Sequence, residues 1–331
     1  MMRLSFVVLV LCVALFCSCD GHESMLPGSG GRPYEVLLLA TGGNGAGVKA
    51  VDSVLTQDVP GLPQREPSFD VSVTDSTRFN ATARLARNIV IVNINPRQFT
   101  RTMIRYEKNV WAHPQMVVYL NAATDSALTA DIPRISRNLT DLLTRAEINT
   151  EISRLGDSGN PKANEQVSRM FGYSIRIPAD MKSSKRGHDF LWFSDNAPSG
   201  MQNICVYSYA GDSLDPVRAL AVRDSVMKIN IPGERDGMYM QTSDASVINR
   251  MAKEKGRIFM ISRGLWEMHG DAMGGPFVAH SVVDTATHRI IVAEAFVYAP
   301  EMKKRNLIRQ VEAVLYTFKK NGKVRAADST K

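Results

Sequence analysis

The segment from Arg263 to Phe277 constrains the fold more than any other part of the chain. Its sequence, RGLWEMHGDAMGGPF, contains four glycines and one proline. Glycine disfavours the helix interior and proline breaks it, so an ordinary helix cannot run through this segment. Hydrophobic stretches flank it at 257–262 and 277–283. The sequence therefore predicts a strand, a glycine-rich reversal and a second strand.

The same segment provides the candidate site residues Arg263, Trp266, Glu267, His269 and Asp271. In extended backbone, Glu267, His269 and Asp271 would share one face because side chains alternate. Carboxylates and histidine can transfer protons, and arginine can bind an anion. An alternating polar face is also typical of a solvent-exposed strand, and Arg263 could simply pair with a carboxylate. These observations favour a structural loop over a binding site, and a binding site over catalysis.

No sequence motif supports a specific chemistry. His269 and Asp271, with His280 or His288, are metal-ligand types, but no recognisable spacing connects them. A Gly-x-Ser-x-Gly nucleophile motif is absent from the sequence. We therefore assign no catalytic residue, no metal ligand and no cofactor, and the pattern favours a protein that is not an enzyme.

A glycine-rich loop at 41–47 follows an apolar run that starts at Tyr34 and precedes a predicted helix ending at Leu55. This order invites a phosphate-binding interpretation. A P-loop needs lysine directly after its last glycine, whereas here Val48 separates Gly47 from Lys49. The spacing favours a plain strand-to-helix turn.

The N-terminus predicts export and lipid attachment. Arg3 precedes an apolar run at 4–16, which is typical of a signal-peptide core and shorter than a membrane-spanning helix. Ser18 before Cys19 is similar to the cleavage site of bacterial lipoproteins. We expect residues 1–18 to be a signal peptide, Cys19 to carry the lipid, and 19–33 to be a lipidated flexible tether. An ordinary secreted protein is the alternative.

Cysteine and charge limit the other possibilities. Cys205 is the one cysteine left after Cys19 is lipidated and the signal peptide is removed, so no internal disulfide is possible. Its strand-like context predicts a buried, inert thiol. The net charge of +7 comes from scattered basic residues without an aromatic-interleaved stripe. Nucleic acid is therefore not an expected partner.

Hydrophobic periodicity predicts an α+β fold of two similar sheet-plus-helix halves packed together, an N-terminal one at 34–160 and a C-terminal one at 161–322. A polar tail follows at 323–331. Their similar element order suggests an ancient duplication. Besides the helix ending at Leu55, helices are expected after an Asp131 cap, at 167–171, from Pro216 after the Asp215 cap, and near the C-terminus. The inward-facing residues of the helix from Pro216 are predicted to be Val217, Leu220, Ala221 and Met227. In the helix near the C-terminus, Leu307, Ile308, Val311, Val314, Leu315 and Phe318 form the apolar stripe, and Arg305, Arg309, Glu312 and Lys319 lie off it.

Several stretches resemble the DUF4837 family of Bacteroidota lipoproteins. They include 62–69 (LPQREPSF), 87–89 (RNI), 111–115 (WAHPQ), 175–178 (IRIP), 190–192 (FLW), 231–233 (IPG), 263–267 (RGLWE), 273–277 (MGGPF), 298–300 (YAP), 304–305 (KR) and 307–310 (LIRQ). The resemblance implies a lipoprotein of the cell envelope, and it transfers no ligand or site residue.

Three functions remain open. The first is a lipid-anchored envelope protein with a non-catalytic role in assembly or binding, whose partners are the membrane and envelope proteins or glycans. The second is a small-molecule or glycan-binding lipoprotein that uses Arg263, Trp266 and Glu267. The third is a hydrolase that uses Glu267 or Asp271. We expect the outer membrane as the location, and the sequence leaves its periplasmic or surface face open.

Overall fold

A computed structural model describes residues 26–156, 159–243, 247–254 and 256–322. The described residues form five α-helices and fifteen strands, which confirms the α+β class. Cys19, the predicted signal peptide and the predicted tail at 323–331 lie outside the described residues. No described helix is long and apolar enough to cross a membrane.

The N-terminal half contains a five-stranded sheet in the order β2-β1-β3-β5-β4. Four strands run parallel, and β4 pairs antiparallel with β5 at one edge. The elements are β1 (Glu35–Ala40), α1 (Ala46–Leu55), β2 (Asp70–Asp75), β3 (Asn88–Ile94), β4 (Met103–Lys108), β5 (Met116–Ala122) and α2 (Asp125–Leu155).

Both helices of this half cover the same sheet face. Apolar residues of α1 and α2 pack on β1, β3 and β5 in one buried cluster. The expected start of α2 at Asp131 is wrong, because the Thr124 side chain accepts a hydrogen bond from the Ala127 N–H and caps the helix there. Pro133 lies on the exposed side of α2, while Leu128, Ile135, Leu139 and Leu143 pack on the sheet.

The C-terminal half is built on an eight-stranded antiparallel sheet. Its path is β10-β12-β13-β14-β9-β8-β7, and β11 also pairs with β12. The strands of the whole C-terminal half, eight of them in this sheet, are β6 (Tyr173–Ser174), β7 (Ser183–Gly187), β8 (Phe190–Ser194), β9 (Met201–Ala210), β10 (Tyr239–Thr242), β11 (Ile248–Glu254), β12 (Arg257–His269), β13 (Gly274–Asp284), β14 (Arg289–Tyr298) and β15 (Lys319–Lys320). The helices are α3 (Pro161–Phe171), α4 (Pro216–Asn230) and α5 (Arg305–Tyr316).

Helices cover both faces of this sheet. Apolar residues of α3 and α5 pack on one face, and Met227 of α4 packs on the other. The predicted hairpin is confirmed, with its turn at 285–288 between β13 and β14.

The two sheet-plus-helix halves are confirmed, but their sheets differ in strand direction and in helix placement. One sheet is mostly parallel with helices on a single face, and the other is wholly antiparallel with helices on both faces. Parallel strands require crossover connections, whereas antiparallel neighbours are joined by short turns, so the two chain paths cannot be superposed as a repeat. The expected duplication therefore has no support in the topology.

The charged side of α5 is buried as well as its apolar stripe. Ile308, Val311, Val314 and Leu315 face the sheet as predicted, but Arg305, Arg309 and Glu312 are also buried. The reason is that the N-terminal half covers this side. Its loop at 58–69 and helix α2 lie against α5, so no solvent-exposed face remains.

The inward side of α4 also differs from the prediction. Asp215 caps the helix and Pro216 begins it, as expected. Its buried residues, however, are Arg223, Met227 and Asn230, and Val217 is 80% exposed. A buried carboxylate on β14 attracts Arg223 inward, so the helix rotates its polar side towards the sheet.

Candidate functional site

The segment 263–277 is a hairpin rather than a loop. Strand β12 continues to His269, the reversal is confined to 270–273, and β13 begins at Gly274. The predicted order of strand, reversal and strand is confirmed, but the reversal is shorter than expected. Gly264 lies in the strand interior. This position requires glycine because the side chains of Phe277 and Val247 come within about 3 Å of where a Cβ would be.

Arg263 and Trp266 lie on opposite faces of the sheet. The Trp266 side chain is 3% exposed, and its indole Nε1 donates to the Val297 carbonyl at 3.2 Å. Arg263 instead faces α5 and forms a bidentate ion pair with Glu312, with Nη1 to Oε2 at 2.8 Å. These two residues therefore cannot line one cleft.

The Arg263–Glu312 pair fixes α5 on the sheet. Burial alone would raise the pKa of Glu312, but the adjacent Arg263 guanidinium outweighs burial and holds that pKa below its usual value. Gly61 of the N-terminal half packs against Arg263, with 3.3 Å between the Arg263 Cβ and the place where a glycine Cβ would stand. The pair thus lies where both halves meet.

Glu267 and His269 lie on one face of β12, as expected, whereas Asp271 lies in the turn beyond the strand. Glu267 accepts a hydrogen bond from the neighbouring-strand residue Gln241 at 2.9 Å. His269 stacks on Tyr239, with 4.8 Å between ring centroids, and Asp271 accepts from the Ala272 N–H in the turn. Each has a local partner, and the two carboxylates lie in different environments.

The glycine loop after β1 is a strand-to-helix turn, as predicted. The Gly47 N–H at the start of α1 donates to Asp125 Oδ1 at 2.9 Å. A Cβ on Gly45 would lie 2.4 Å from the same carboxylate. Asp125 therefore occupies the position at the helix N-terminus where a phosphate would bind.

A buried polar network joins the halves at the start of α5. Glu66 accepts from the backbone N–H groups of Lys304 at 2.6 Å and Arg305 at 3.0 Å. Arg305 pairs with Asp70 at 2.6 Å, and the Arg309 guanidinium lies 4.3 Å from the Tyr34 ring centroid. Glu66, Asp70 and Arg305 are paired across the two halves, so the network explains how the halves dock, whereas the buried Tyr34 hydroxyl has no hydrogen-bond partner among the described residues.

An open cleft of about 480 Å³ lies at the amino ends of β3 and β5, beside the last two turns of α2. We call it the Arg87 cleft. Its lining residues are Arg87, Asn88, Lys108, Asn109, His113, Pro114, Gln115, Met116, Ala146, Glu147, Asn149, Thr150, Ser153 and Arg154. Its volume is in the range of small-molecule sites.

The floor of the Arg87 cleft is a buried carboxylate and its two partners. Asn88 begins β3, and its Nδ2 donates to Glu147 Oε1 at 2.5 Å and to the Glu35 carbonyl at 3.0 Å. Arg87 Nη2 lies 2.9 Å from Glu147 Oε2. Burial raises the pKa of Glu147, although Arg87 and Asn88 partly offset that rise.

The Arg87 side chain retains binding capacity. Its Nε is buried and has no hydrogen-bond partner among the described residues. A guanidinium presents its donors in a planar fork that fits carboxylate or phosphate oxygens. With 14% of the side chain exposed, Arg87 can reach a ligand while it remains paired to Glu147.

One wall of the cleft is the loop between β4 and β5. Gln115 orders this loop: its Nε2 donates to the carbonyls of Arg84 at 2.6 Å and Ala86 at 2.7 Å, and its Oε1 accepts from the Trp111 N–H. His113 and Lys108 are exposed at the rim. The wall is therefore rigid at its base and cationic at its edge.

The chain segment at 27–30 lies against this wall. The His113 N–H donates to the Pro27 carbonyl, and the Gly30 carbonyl accepts from the Arg87 N–H. The predicted flexible tether at 19–33 is therefore too long, because these residues belong to the folded body. Sequence composition suggested a linker, but hydrogen bonding to the sheet end decides the conformation.

Other chemical groups are enclosed. Cys205 is buried, as predicted, and burial raises the pKa of its thiol well above the usual value. Within the described ranges, no group of three or more histidine, cysteine or acidic side chains could hold a metal ion. His280 is buried between Phe259 and Tyr316, and burial lowers its pKa to about 3.

Comparisons with known proteins match each half to a family of unknown function. Residues 160–317 match the family described as Domain of unknown function (DUF4837), and residues 29–156 match Domain of unknown function (DUF8532). The match over residues 160–317 confirms, for the C-terminal half, the resemblance to the DUF4837 family seen in the sequence. The N-terminal motifs that shared in this resemblance lie within the second match.

A solved structure and the curated proteins add little. The chain is similar to a crystal structure from Bacteroides thetaiotaomicron VPI-5482, with 14% identity, 46% of each chain covered and a TM-score of 0.21. The alignment thus spans less than half the length of that chain, and the likeness carries no argument about fold or function. The comparison with curated proteins found no match.

Sequence reasoning did not find the Arg87 cleft, although two quoted family motifs line it. Arg87 and Asn88 come from one motif, and His113, Pro114 and Gln115 come from the other. Glu147 gave no signal because it is a lone carboxylate that continues the buried side of α2 after Leu139 and Leu143. Only the packing of α2 on the sheet brings it to the two motifs.

Proposed function

We propose that this chain is a lipid-anchored cell-envelope protein with a binding role, and that the Arg87 cleft is its ligand site. The observation that carries the proposal is the Arg87 guanidinium, which is paired to a buried Glu147 on one side and opens into a 480 Å³ cleft on the other. Outer-membrane location and attachment through Cys19 are part of the proposal.

The lining favours an anionic ligand. Arg87, Lys108 and Arg154 contribute three positive charges. Glu147 in the lining and Glu151, which pairs with Arg154 at 2.9 Å, contribute two negative charges, which gives 3 − 2 = +1. Asn88, Asn109, Asn149 and Gln115 add amide groups, and the lining contains no aromatic ring other than the His113 imidazole. The best fit is a small organic acid or acidic sugar that carries several hydrogen-bonding groups.

The two rival functions draw less support. A glycan site in the predicted segment would need an accessible aromatic face at Trp266, but that side chain is buried in the core. A hydrolase would need Glu267 and Asp271 to act on one bond, yet Glu267 is hydrogen-bonded within the sheet and Asp271 caps an exposed turn. The geometry therefore favours binding at a different place from the predicted segment.

Binding is tested with the full chain purified in detergent. The probes are N-acetylmuramic acid, citrate and inorganic phosphate, with neutral N-acetylglucosamine for comparison, and calorimetry is the measurement. At least one anion should bind, and Arg87→Ala should abolish that binding. Arg137→Ala is the matched control, because Arg137 is exposed on α2 away from the cleft. Equal binding by both variants, or no binding of any anion, would overturn the cleft assignment.

Anchoring is tested separately by metabolic fatty-acid labelling. The label should appear on the wild-type chain, and Cys19→Ala should remove it and release the protein from membranes. A variant that stays labelled would exclude Cys19 as the attachment residue.

A further inference from the structure

The end of the N-terminal sheet that carries the Arg87 cleft is also where the chain leaves the folded body. Four backbone hydrogen bonds hold this exit: Pro27 O to His113 N at 2.9 Å, His113 O to Ser29 N at 3.1 Å, Leu85 O to Gly30 N at 2.7 Å and Gly30 O to Arg87 N at 3.1 Å. The exit point is therefore fixed relative to the sheet.

The distance from this exit to the lipid is short. Pro27 is 27 − 19 = 8 residues from Cys19. Eight residues span at most about 28 Å even when fully extended. If Cys19 carries the lipid, as proposed above, the exit must lie within that distance of the bilayer surface, whereas the opposite sheet end can lie farther away.

The side chains at this sheet end have the chemistry of a membrane interface. The Arg84 guanidinium lies over the rings of Phe79 and Trp111, 5.6 and 5.8 Å from their centroids. Arg84 and Lys108 are exposed, and neither has an acidic partner among the described residues. Exposed cations attract anionic headgroups, and Trp commonly lies at headgroup level.

We propose that this sheet end faces the membrane and that Arg84 and Lys108 bind anionic lipid headgroups there, with Trp111 beside them. The proposal rests on the lipid anchor of the proposed function. It gives the anchored protein one orientation: the Arg87 cleft opens near the headgroups, and the glycine loop at 41–45 points away from them. Strand β1 separates these two ends by about 20 Å.

Orientation is measured with single fluorophores on the full lipidated chain. Ala81→Cys places a label near Arg84, and Asn44→Cys places one in the loop at the opposite end; both positions are exposed. Cys205 is buried and will not compete for the label. The protein is reconstituted in phosphatidylglycerol-containing vesicles that include a lipid with a nitroxide on its headgroup, which quenches nearby fluorophores.

We expect strong quenching at position 81 and little at position 44. The double substitution Arg84→Glu with Lys108→Glu should abolish this difference, and so should vesicles made only of phosphatidylcholine. The control Arg137→Glu with Arg235→Glu changes the same number of exposed charges elsewhere and should preserve the difference. Equal quenching at both positions in the unmodified background, or the same loss in the control, would overturn the proposal.

Fatty-acid labelling of each preparation separates the two hypotheses. A labelled protein with equal quenching at both positions refutes the membrane-facing end and leaves the anchor intact. A preparation without label refutes the anchor and, with it, the orientation that depends on the short distance from Cys19.

Discussion

Two buried arginine–glutamate pairs, one in each half, have the same chemistry and different surroundings. Arg223 donates three hydrogen bonds to Glu294 at 2.8–3.1 Å, lies 3.8 Å from the Phe277 ring centroid, and is 3% exposed. The space beside it is only about 20 Å³, enough for about one water molecule. Arg87 makes a single contact to Glu147 and lines a cleft of about 480 Å³.

The difference shows how one interaction can serve packing or binding. Tyr207 also donates to Glu294, so the carboxylate is satisfied within the protein. At Arg87 the Nε is buried without a hydrogen-bond partner among the described residues, and the side chain, which is 14% exposed, lines the cleft. The enclosed pair should therefore govern stability, and the open pair should govern binding.

Removing the enclosed arginine should have the largest effect. Arg223→Ala leaves Glu294 buried without its cation, which should cost about 3–5 kcal/mol of unfolding free energy. Denaturant unfolding measures this cost. The double variant Arg223→Met with Glu294→Leu should recover most of it, because neither charge is then left alone. A single variant as stable as wild type would show that the pair is not enclosed.

His280 extends the comparison to a buried group whose neighbouring carboxylate, Glu312, is already paired with Arg263. Its pKa of about 3 in the native state lies below the unfolded value of about 6.5, so the unfolded state binds more protons as pH falls. The contribution of the neutral His280 to the free energy of unfolding is therefore complete above pH 6.5. It decreases below that pH, by about 2 kcal/mol between pH 7 and pH 5. Urea unfolding at pH 7 and pH 5 measures this effect. The free energy of unfolding of His280→Leu should decrease between the two pH values by about 2 kcal/mol less than that of the wild type. An identical decrease in both proteins would contradict a buried neutral imidazole.

Removing the open arginine should affect stability less than binding. Arg87→Ala should cost about 1 kcal/mol, because water in the cleft can hydrate Glu147. The same variant should lose the anion binding described above, and calorimetry and urea unfolding together separate the two effects. A stability loss equal to that of Arg223→Ala would remove the distinction between the pairs.

A solvent-exposed ion pair should contribute least to the free energy of unfolding. Arg169 and Glu165 lie one turn apart on α3, with side chains 77% and 58% exposed. Replacing Arg169 by alanine should change stability by less than about 0.5 kcal/mol, since solvent screens the pair. Thermal unfolding at low and high salt checks this, and a shift as large as that of Arg87→Ala would be inconsistent with a screened pair.

The sequence predicted the parts of the fold that depend on local patterns. The hairpin at 274–298 followed from alternating apolar runs around a short polar turn, and the Asp215–Pro216 start of α4 followed from capping chemistry. It also predicted the DUF4837 match of the C-terminal half and the buried state of Cys205. The candidate site residues, by contrast, do not line one cavity. The many unusual residues at 263–271 belong to a constrained hairpin.

What the sequence determined by itself was therefore the type and order of most elements, since periodicity and capping act within a few residues. Tertiary structure alone decided the parallel and antiparallel sheets and the burial of both sides of α5. It also decided the meeting of Arg87, His113 and Glu147 from segments far apart in the chain. The physical reason is that a buried charge needs a distant partner. Only packing determines which carboxylate meets which guanidinium and whether the space beside them stays open.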